Sequence, residues 1–397
     1  MKHSGIPWIG EIPSHWSIMP HKRIMHKEKE IKEKYENEKI LSLSMRGVII
    51  RDLDAGGKMP SSFDGYQAVY PEDLLQCLFD IDVTPRCVGL VKDKGLVSPA
   101  YSRFVMHSDA NSHYYDYLLR YMDDNKVLLH LSKNLRSSLT ETDFGAIETC
   151  VPPIPEQQAI ADFLDKKCSE IDELIVLQEK IIEELKAYKQ SIITEAVTKG
   201  LNPDVQMKDS GIEWIGQIPK GWSVCRIKDL IDTKSGSNLT TEEITEEGLF
   251  PVYGGNGIRG YYGEFSNEGA YILIGRQGAL CGNINYASGK FWATEHAVVC
   301  YPKRDFKMRW LGELLRAMNL GQYSLSAAQP GLAVERIKVL KMPLPPLDEQ
   351  QSIASYLDTK CAEIDALISI KQSKIEELKE YKKSIIYEYV TGKKAVV

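Results

Sequence analysis

The sequence predicts an α/β chain with an internal pseudo-twofold repeat: two mixed α/β domains joined by two long antiparallel coiled-coil helices. Three observations carry that expectation. Ser4–Trp16 (SGIPWIGEIPSHW) recurs as Ser210–Trp222 (SGIEWIGQIPKGW). Pro152–Thr198 recurs without a gap as Pro345–Thr391, with 29 identical residues; self-similarity on that scale marks a structural unit used twice. Within the longer repeat, apolar residues return at steps of four and three, the seam of a coiled coil.

The two repeats are offset by 206 and 193 residues, so the second half has 13 residues fewer between its repeated ends. Each half is a variable segment followed by a near-constant one, with boundaries at 1–151, 152–200, 201–342 and 343–397. Unequal inserts on equal scaffolds suit a frame that holds two different readers.

In the first variable segment, Lys39–Leu43, Ala68–Tyr70 and Cys87–Leu90 read as strands and Tyr114–Met122 as a helix. The Lys27–Lys39 run, KEKEIKEKYENEK, alternates in charge and reads as a solvated helix face. Pro155 and Pro346 sit where a helix start tolerates proline, with acidic residues in the first turns. The first seam runs Leu164, Cys168, Ile171, Ile175, Gln178, Ile182, Leu185, Lys189, Ile192, Ala196. The second runs Leu357, Cys361, Ile364, Ile368, Lys371, Ile375, Leu378, Lys382, Ile385, Tyr389. Polar residues interrupt both at the same two steps, Gln178/Lys371 and Lys189/Lys382, either fixing register or snorkelling at the seam edge. Forty residues at 1.5 Å each give a rod of about 60 Å that cannot bury its seam alone, and the other copy is the obvious partner. Gly200-Leu-Asn-Pro203 ends the first helix. In the second variable segment, Phe250–Tyr253, Ala270–Ile274, Phe291–Ala293 and Ala297–Tyr301 read as strands, and Trp310–Met318 as an amphipathic helix. Trp8/Trp214 and Trp16/Trp222 are expected to anchor each domain to its helix.

A chain of 397 residues accommodates two or three domains, and 43% hydrophobic with 26% charged residues excludes wholesale disorder. It has no apolar run long enough for a membrane span and no signal-peptide core at its start. Eight cysteines without a C-x-x-C pair argue against a disulfide framework or structural zinc and point to a reducing cytoplasm. The net charge of −6 argues against a self-sufficient nucleic-acid binder. Counted over 1–151, 152–206, 207–342 and 343–397 the charge is −2, −5, +2 and −1, so the helical segments with the connector carry the whole deficit and the variable domains together are neutral.

Catalytic signatures are scarce. There is no P-loop, no N/D-P-P-Y/F motif and no H-x-x-x-H pair. Gly255-Asn-Gly257-Ile-Arg-Gly260 matches G-x-G-x-x-G, but Tyr261-Tyr262-Gly263 follows in place of a helix, so a tight turn between strands is the better reading. His15, His21 and His26 lie among lysines and read as a solvated surface. What remains is polar and aromatic loop chemistry suited to nucleic acid, since Arg can bridge guanine N7/O6 and Asn or Gln can pair with adenine N6/N7. The candidates in the first segment are Arg46, Lys58, Arg86, Tyr101, Arg103, Lys133, Asn134 and Arg136. Those in the second are Tyr253, Asn256, Arg259, Tyr261, Arg276, Gln277, Asn283 and Gln329.

The S-G-I-x-W-I-G-x-I-P-x-x-W opening of each half and the P-P-x-x-E-Q-Q-x-I-A-x-x-L-D opening of each helix resemble the specificity (S) subunits of type I restriction–modification systems. So do Tyr253-Gly-Gly-Asn256-Gly-Ile and Ala328-Gln329-Pro330-Gly331-Leu. The resemblance implies a non-catalytic subunit with two target-recognition domains, each reading one half of a split site in double-stranded DNA. It further implies that the helices fix the spacer and dock two modification (methyltransferase) subunits. Those subunits would bind S-adenosylmethionine and methylate adenine; restriction subunits would add ATP- and Mg2+-dependent translocation and cleavage, so the chain itself would hold no cofactor. Pro155 of the first helix opening is replaced by Asp348 in the second, an acceptable N-terminal residue. The alternative is a coiled-coil adaptor whose α/β domains bind protein. A stand-alone nuclease or methyltransferase is the third reading.

Overall fold

The computed structural model describes the chain except residues 55–59, 85, 133–136, 279, 325–330 and 397. It divides into two compact units, one formed by Met1–Gln178 with Ser373–Val397 and the other by Glu179–Gln372. Two long helices, the central Ile154–Lys199 and the C-terminal Leu347–Val390, each contribute one part to each unit.

In the first unit a four-stranded antiparallel sheet runs in the order Met25–Glu28, Ser102–Met106, Leu74–Gln76, Val88–Leu90. Helix Ser112–Asp124 lays Tyr115, Leu118, Leu119 and Met122 into the core. Asn111 caps it, its side chain accepting from Tyr114 N. Ser17–Pro20 pairs with Glu148–Val151, tying the start of the domain to the strand that leads into the central helix. The core continues into Leu164, Cys168 and Ile171 of the central helix and Ile385, Ile386 and Val390 of the C-terminal one.

The second unit repeats this plan. Its sheet runs Ile231–Ser235, Ala297–Pro302, Tyr271–Gly275, Ile284–Ala287, and Ser223–Arg226 pairs with Lys341–Leu344. Helix Met308–Ala317 buries Trp310, Leu311, Leu314 and Leu315. Its core reaches Ile193, Ala196 and Val197 of the central helix and Ile353, Leu357 and Cys361 of the C-terminal one. A second sheet, Gly257–Tyr262, Phe250–Gly254, Lys290–Ala293, Asn267–Glu268, carries one parallel pairing.

Within each unit the helix segments run antiparallel. In the first, Phe163 meets Tyr389 with ring centroids 4.4 Å apart, and Lys382 Nζ donates to both carboxylate oxygens of Asp172 at 2.7 Å. In the second, Lys189 Nζ donates to Asp365 at 2.6 and 2.7 Å. Lys189 and Lys382 form one of the two matched breaks in the seams; each lies beside buried seam residues and reaches an aspartate on the neighbouring helix. Of the remaining seam residues, Leu164, Ile171, Ile182, Leu357, Ile364, Ile375 and Ile385 are buried. Ile175, Leu185, Ile192, Ile368 and Leu378 are half-buried, as are Gln178 and Lys371.

The repeated motifs clip each helix to its domain. Gln157 Oε1 accepts from Asn111 N at 2.9 Å while its Nε2 donates to Pro152 O at 2.9 Å. Gln350 does the same with Lys307 N and Pro345 O, again at 2.9 Å each. Trp16 and Trp222 are both 1% exposed. Trp222 packs on Gly200 at the end of the central helix and donates to Glu349 Oε2 at 2.6 Å. Gly200 has a φ of +77°, and a Cβ there would press on the Trp222 ring at 3.2 Å, so glycine meets both demands. The Trp8 ring lies tilted beside Tyr121 with centroids 6.0 Å apart, whereas Trp214 is 38% exposed.

Two local readings are corrected. His21, read among the lysines as part of a solvated surface, is completely buried. The Lys27–Lys39 run is not a helix: Met25–Glu28 is a strand, Ile31 bridges Gln67, and Asn37 turns the chain with a φ of +72°. Sheet pairing by the flanking residues overrides the helical charge pattern.

Candidate nucleic-acid interface

Each unit carries a β-hairpin beside its main sheet. In the first it is Leu41–Ser44 with Gly47–Ile50, and Met45-Arg46 form the tip. In the second it is Phe250–Gly254 with Gly257–Tyr262, and Gly255-Asn256 form the tip. Both two-residue turns close on a glycine of positive φ, Gly47 at +92° and Gly257 at +97°, which an L side chain resists. The first hairpin packs on strand Val88–Leu90: a Cβ on Gly89 would meet Leu43 at 2.8 Å and Val48 at 3.0 Å. The second rests on the equivalent strand, Ile284–Ala287, where a Cβ on Gly257 would lie 3.4 Å from Asn285 Oδ1.

The second unit brings four candidates together around its tip. Asn283 Nδ2 donates to Asn256 Oδ1 at 2.7 Å. Gly255 lies against the Gln277 and His296 carbonyls, 3.1 and 3.3 Å from where its Cβ would be. Arg276 N donates to His296 O at 2.8 Å, and the guanidinium Nη1 donates to Ser235 Oγ at 3.1 Å. Asn256 and Gln277 are exposed, while Arg276 and Asn283 are half-exposed. Arg259 is the extra residue of a bulge in the same hairpin and is exposed, its stem lying across Gly254. Tyr253 sits below the surface, its ring edge-on to Phe291 at 5.5 Å, and burial pushes its hydroxyl pKa up. Tyr261 lies on the outer strand, exchanging backbone hydrogen bonds with Thr245 at 2.8 and 3.0 Å, apart from the cluster. Gln329 lies outside the described residues.

The first unit offers fewer of its candidates. Arg46 is exposed at the hairpin tip. Beside it, Met45, Phe79, Thr84 and half-buried Tyr101 line a cavity of about 290 Å³. Arg86 forms ion pairs with Asp124 at 2.9 Å and Asp123 at 3.4 Å, its side chain only 12% exposed. Arg103 is buried and binds Asp73 at 2.6 Å, over the face of Tyr70 at 5.0 Å. Burial pushes the Asp73 carboxyl pKa up against the pull of that guanidinium. Both arginines therefore hold the domain together, and removing either would strand a buried carboxylate. Lys58, Lys133, Asn134 and Arg136 lie outside the described residues. Met45 and Phe79, 62% and 39% exposed, were not singled out, because nothing in a lone apolar residue signals a surface role.

Among the described residues, no group of three or more His, Cys, Asp or Glu side chains is placed to hold a metal ion. No helix among them is long and apolar enough to cross a membrane.

Residues 219–380 match the family described as the type I restriction modification DNA specificity domain. The specificity subunit of type I restriction enzyme EcoprrI from Escherichia coli is 43% identical over 134 residues, which are 33% of this chain and 33% of that relative. The MjaVIII specificity subunit of Methanocaldococcus jannaschii is 26% identical over 279 residues, 63% of each chain. The matched stretches thus span a third to just under two thirds of these relatives. A structure described as the basis of "complex assembly and conformational transition of the type I R-M system" aligns over 96% of this chain and 98% of its own, with a TM-score of 0.74 and 17% identity. The HsdS subunit from Thermoanaerobacter tengcongensis aligns over 99% of this chain and 100% of its own, with a TM-score of 0.56 and 17% identity. At that identity these two likenesses bear on the fold, which is mixed α/β with two strand-rich domains and two long helices.

Proposed function

We propose that the chain is a specificity subunit of a type I restriction–modification system, a reading supported by its likeness to that family over residues 219–380, and that its two α/β domains each read one half of a split site in double-stranded DNA. The observation that carries this reading is one backbone plan used twice with different side chains at the loop tips, Met45-Arg46 in one domain and Gly255-Asn256 in the other. A frame of that kind suits a site with two unlike halves. The reading surface is drawn from Arg46 in the first domain and Asn256, Arg259, Arg276, Gln277 and Asn283 in the second. Arg86 and Arg103 are left out of it.

Docking of two modification subunits is part of the same proposal. Leu174, Leu177 and Tyr381 are exposed on the helices of the first unit, at 46%, 49% and 56%. Their repeat equivalents Leu367, Ile370 and Tyr188 are exposed in the second, at 46%, 61% and 58%. Exposed apolar groups of this size on a helix ask for a partner, and two equal sets suit two copies of one subunit. Adenine methylation with S-adenosylmethionine would then belong to those subunits, and ATP- and Mg2+-dependent cleavage to restriction subunits, in the cytoplasm. The acidic helical segments supply little phosphate neutralisation, so tight DNA binding belongs to the assembled complex.

Single-molecule sequencing of methylated adenines in cells carrying this chain with its partner subunits tests the reading. The expected result is a two-part motif with methyladenine on both strands; methylation without any motif contradicts it. The helices' role as spacer has its own test: seven residues inserted after both Gln178 and Gln372 keep the seam in register. At 1.5 Å per residue and 3.4 Å per base pair, the tolerated spacer should grow by about three base pairs.

A further inference from the structure

The two hairpin tips are the same device carrying different residues. Each is a two-residue turn closed by a positive-φ glycine; the first hairpin packs on Gly89 of the fourth strand of its main sheet, and Gly257 of the second faces Asn285 on the equivalent strand. Position by position, Ser44, Met45, Arg46 and Gly47 correspond to Gly254, Gly255, Asn256 and Gly257. The residue before the closing glycine is exposed in both domains, so one backbone position presents a guanidinium on one side of the repeat and a carboxamide on the other.

The supports on either side are firm. Ser44 Oγ accepts from Arg46 N at 3.1 Å and donates to Gly47 O at 3.0 Å, and Gly47 is buried with Arg120 beside it. The Asn256 amide is oriented by Asn283 Nδ2, which donates to Oδ1 at 2.7 Å. That oxygen keeps a second lone pair, and the Asn256 Nδ2 group has no acceptor among the described residues. An amide held so, with an acceptor and a donor edge facing out, matches adenine N6 and N7; an exposed guanidinium matches guanine O6 and N7. The turn fixes the Arg46 backbone, and Asn283 holds the Asn256 side chain itself, which is the kind of support that sequence reading needs.

We propose that residues 46 and 256 are equivalent base-reading positions, Arg46 requiring a G·C pair at one place in the first half-site and Asn256 requiring an A·T pair at the matching place in the second. This rests on the reading of the two domains as DNA-recognition domains. Arg86 and Arg103, held by internal carboxylates, have no such role.

The test compares methylated-adenine motifs in cells that carry the partner subunits with the unaltered chain, Arg46→Ala or Asn256→Ala. The unaltered chain should give a two-part motif with an obligatory G·C pair in one half and an obligatory A·T pair in the other. Arg46→Ala should relax discrimination about tenfold to a hundredfold at that one G·C position, the range of a lost bidentate contact, and leave the other half intact. Asn256→Ala should do the same at one A·T position of the other half only. A motif unchanged in every position by both substitutions overturns the proposal and leaves the domains' DNA-reading role standing. No motif from the unaltered chain overturns both. If Arg46→Ala abolishes methylation altogether, Arg46→Lys decides: it keeps the charge without the bidentate fork, so it should restore methylation with the G·C requirement still relaxed. Restored methylation with a strict G·C requirement, or no restoration, overturns the proposal.

Discussion

At equivalent points in the two units, just after the strand that pairs with the entry to each helix, the first has His21 and the second Ile227. Both are completely buried, and both donate their backbone N–H to an equivalent carbonyl, Ile147 O at 2.9 Å and Leu340 O at 3.0 Å. His21 lies against Phe144 at 4.8 Å, and neither of its ring nitrogens has a side-chain partner among the described residues. A second contrast sits at the tryptophans. Trp222 Nε1 donates to Glu349, whereas Trp16 Nε1 has no partner among the described residues and the equivalent Glu156 instead meets His15 at 2.9 Å. The backbone plan tolerates such exchanges in its core as well as at its loop tips. A scaffold like this can hold unlike readers because its geometry is set by strand pairing and helix clips, and individual side chains can change.

The largest effects are expected at the tryptophans. Trp16→Ala and Trp222→Ala should each cost about 3–5 kcal/mol in denaturant titrations, as deletions of buried aromatic side chains do. The two Phe variants should separate the units. Trp222→Phe leaves Glu349 without its donor and should cost about 1–3 kcal/mol more than Trp16→Phe. Equal costs for the two would break the contrast.

The histidine gives the next largest effect. Burial holds the His21 imidazole down to about 4, against about 6.5 when unfolded. The unfolded chain therefore takes up a proton as pH falls below about 6.5 while the folded unit does not. Stability from the neutral ring is complete above that pH, declines through the window down to about 4, and falls no further below it. At pH 5 the first unit should be about 2 kcal/mol weaker than at pH 7 from this group alone. His21→Ile, the residue of the second unit, should remove that component of the acid slope. An unaltered slope would show that His21 is not buried neutral. The smallest effects belong to the crossed pairs. Asp172→Asn and Asp365→Asn should each cost less than about 1 kcal/mol, equally and with strong salt dependence, because both pairs are partly exposed. Unequal costs would mean that the two helix pairings are not equivalent.

Much of this plan was legible in the sequence because repeats and periodicity are local signals. The strands at Phe250–Gly254, Tyr271–Gly275, Lys290–Ala293 and Ala297–Pro302 fall within a residue or two of expectation. So do the helices Ser112–Asp124 and Met308–Ala317. The candidate surface was less legible, and the reason is sequence separation. Arg103 meets Asp73 from 30 residues away, and Arg86 meets Asp123 from 37, so nothing local distinguishes these arginines from exposed Arg46. The same holds for Lys189 and Lys382, whose aspartates lie 176 and 210 residues away. The roles of Gln157 and Gln350 were hidden likewise: the repeated motif marked them, but only the folded chain shows that they clip helix to domain.

The central claim is that one frame holds two interchangeable readers, and a domain exchange tests it most directly. Replacing residues 227–341 with residues 21–148 keeps both strand pairings that enter the helices, since the exchange points are equivalent in the repeat. Methylated adenines would then be mapped in cells carrying the exchanged chain with its partner subunits. The expected result is a symmetric motif in which the first half-site appears twice, inverted, across an unchanged spacer. Retention of the original second half-site, from a chain that no longer contains its reader, would contradict it.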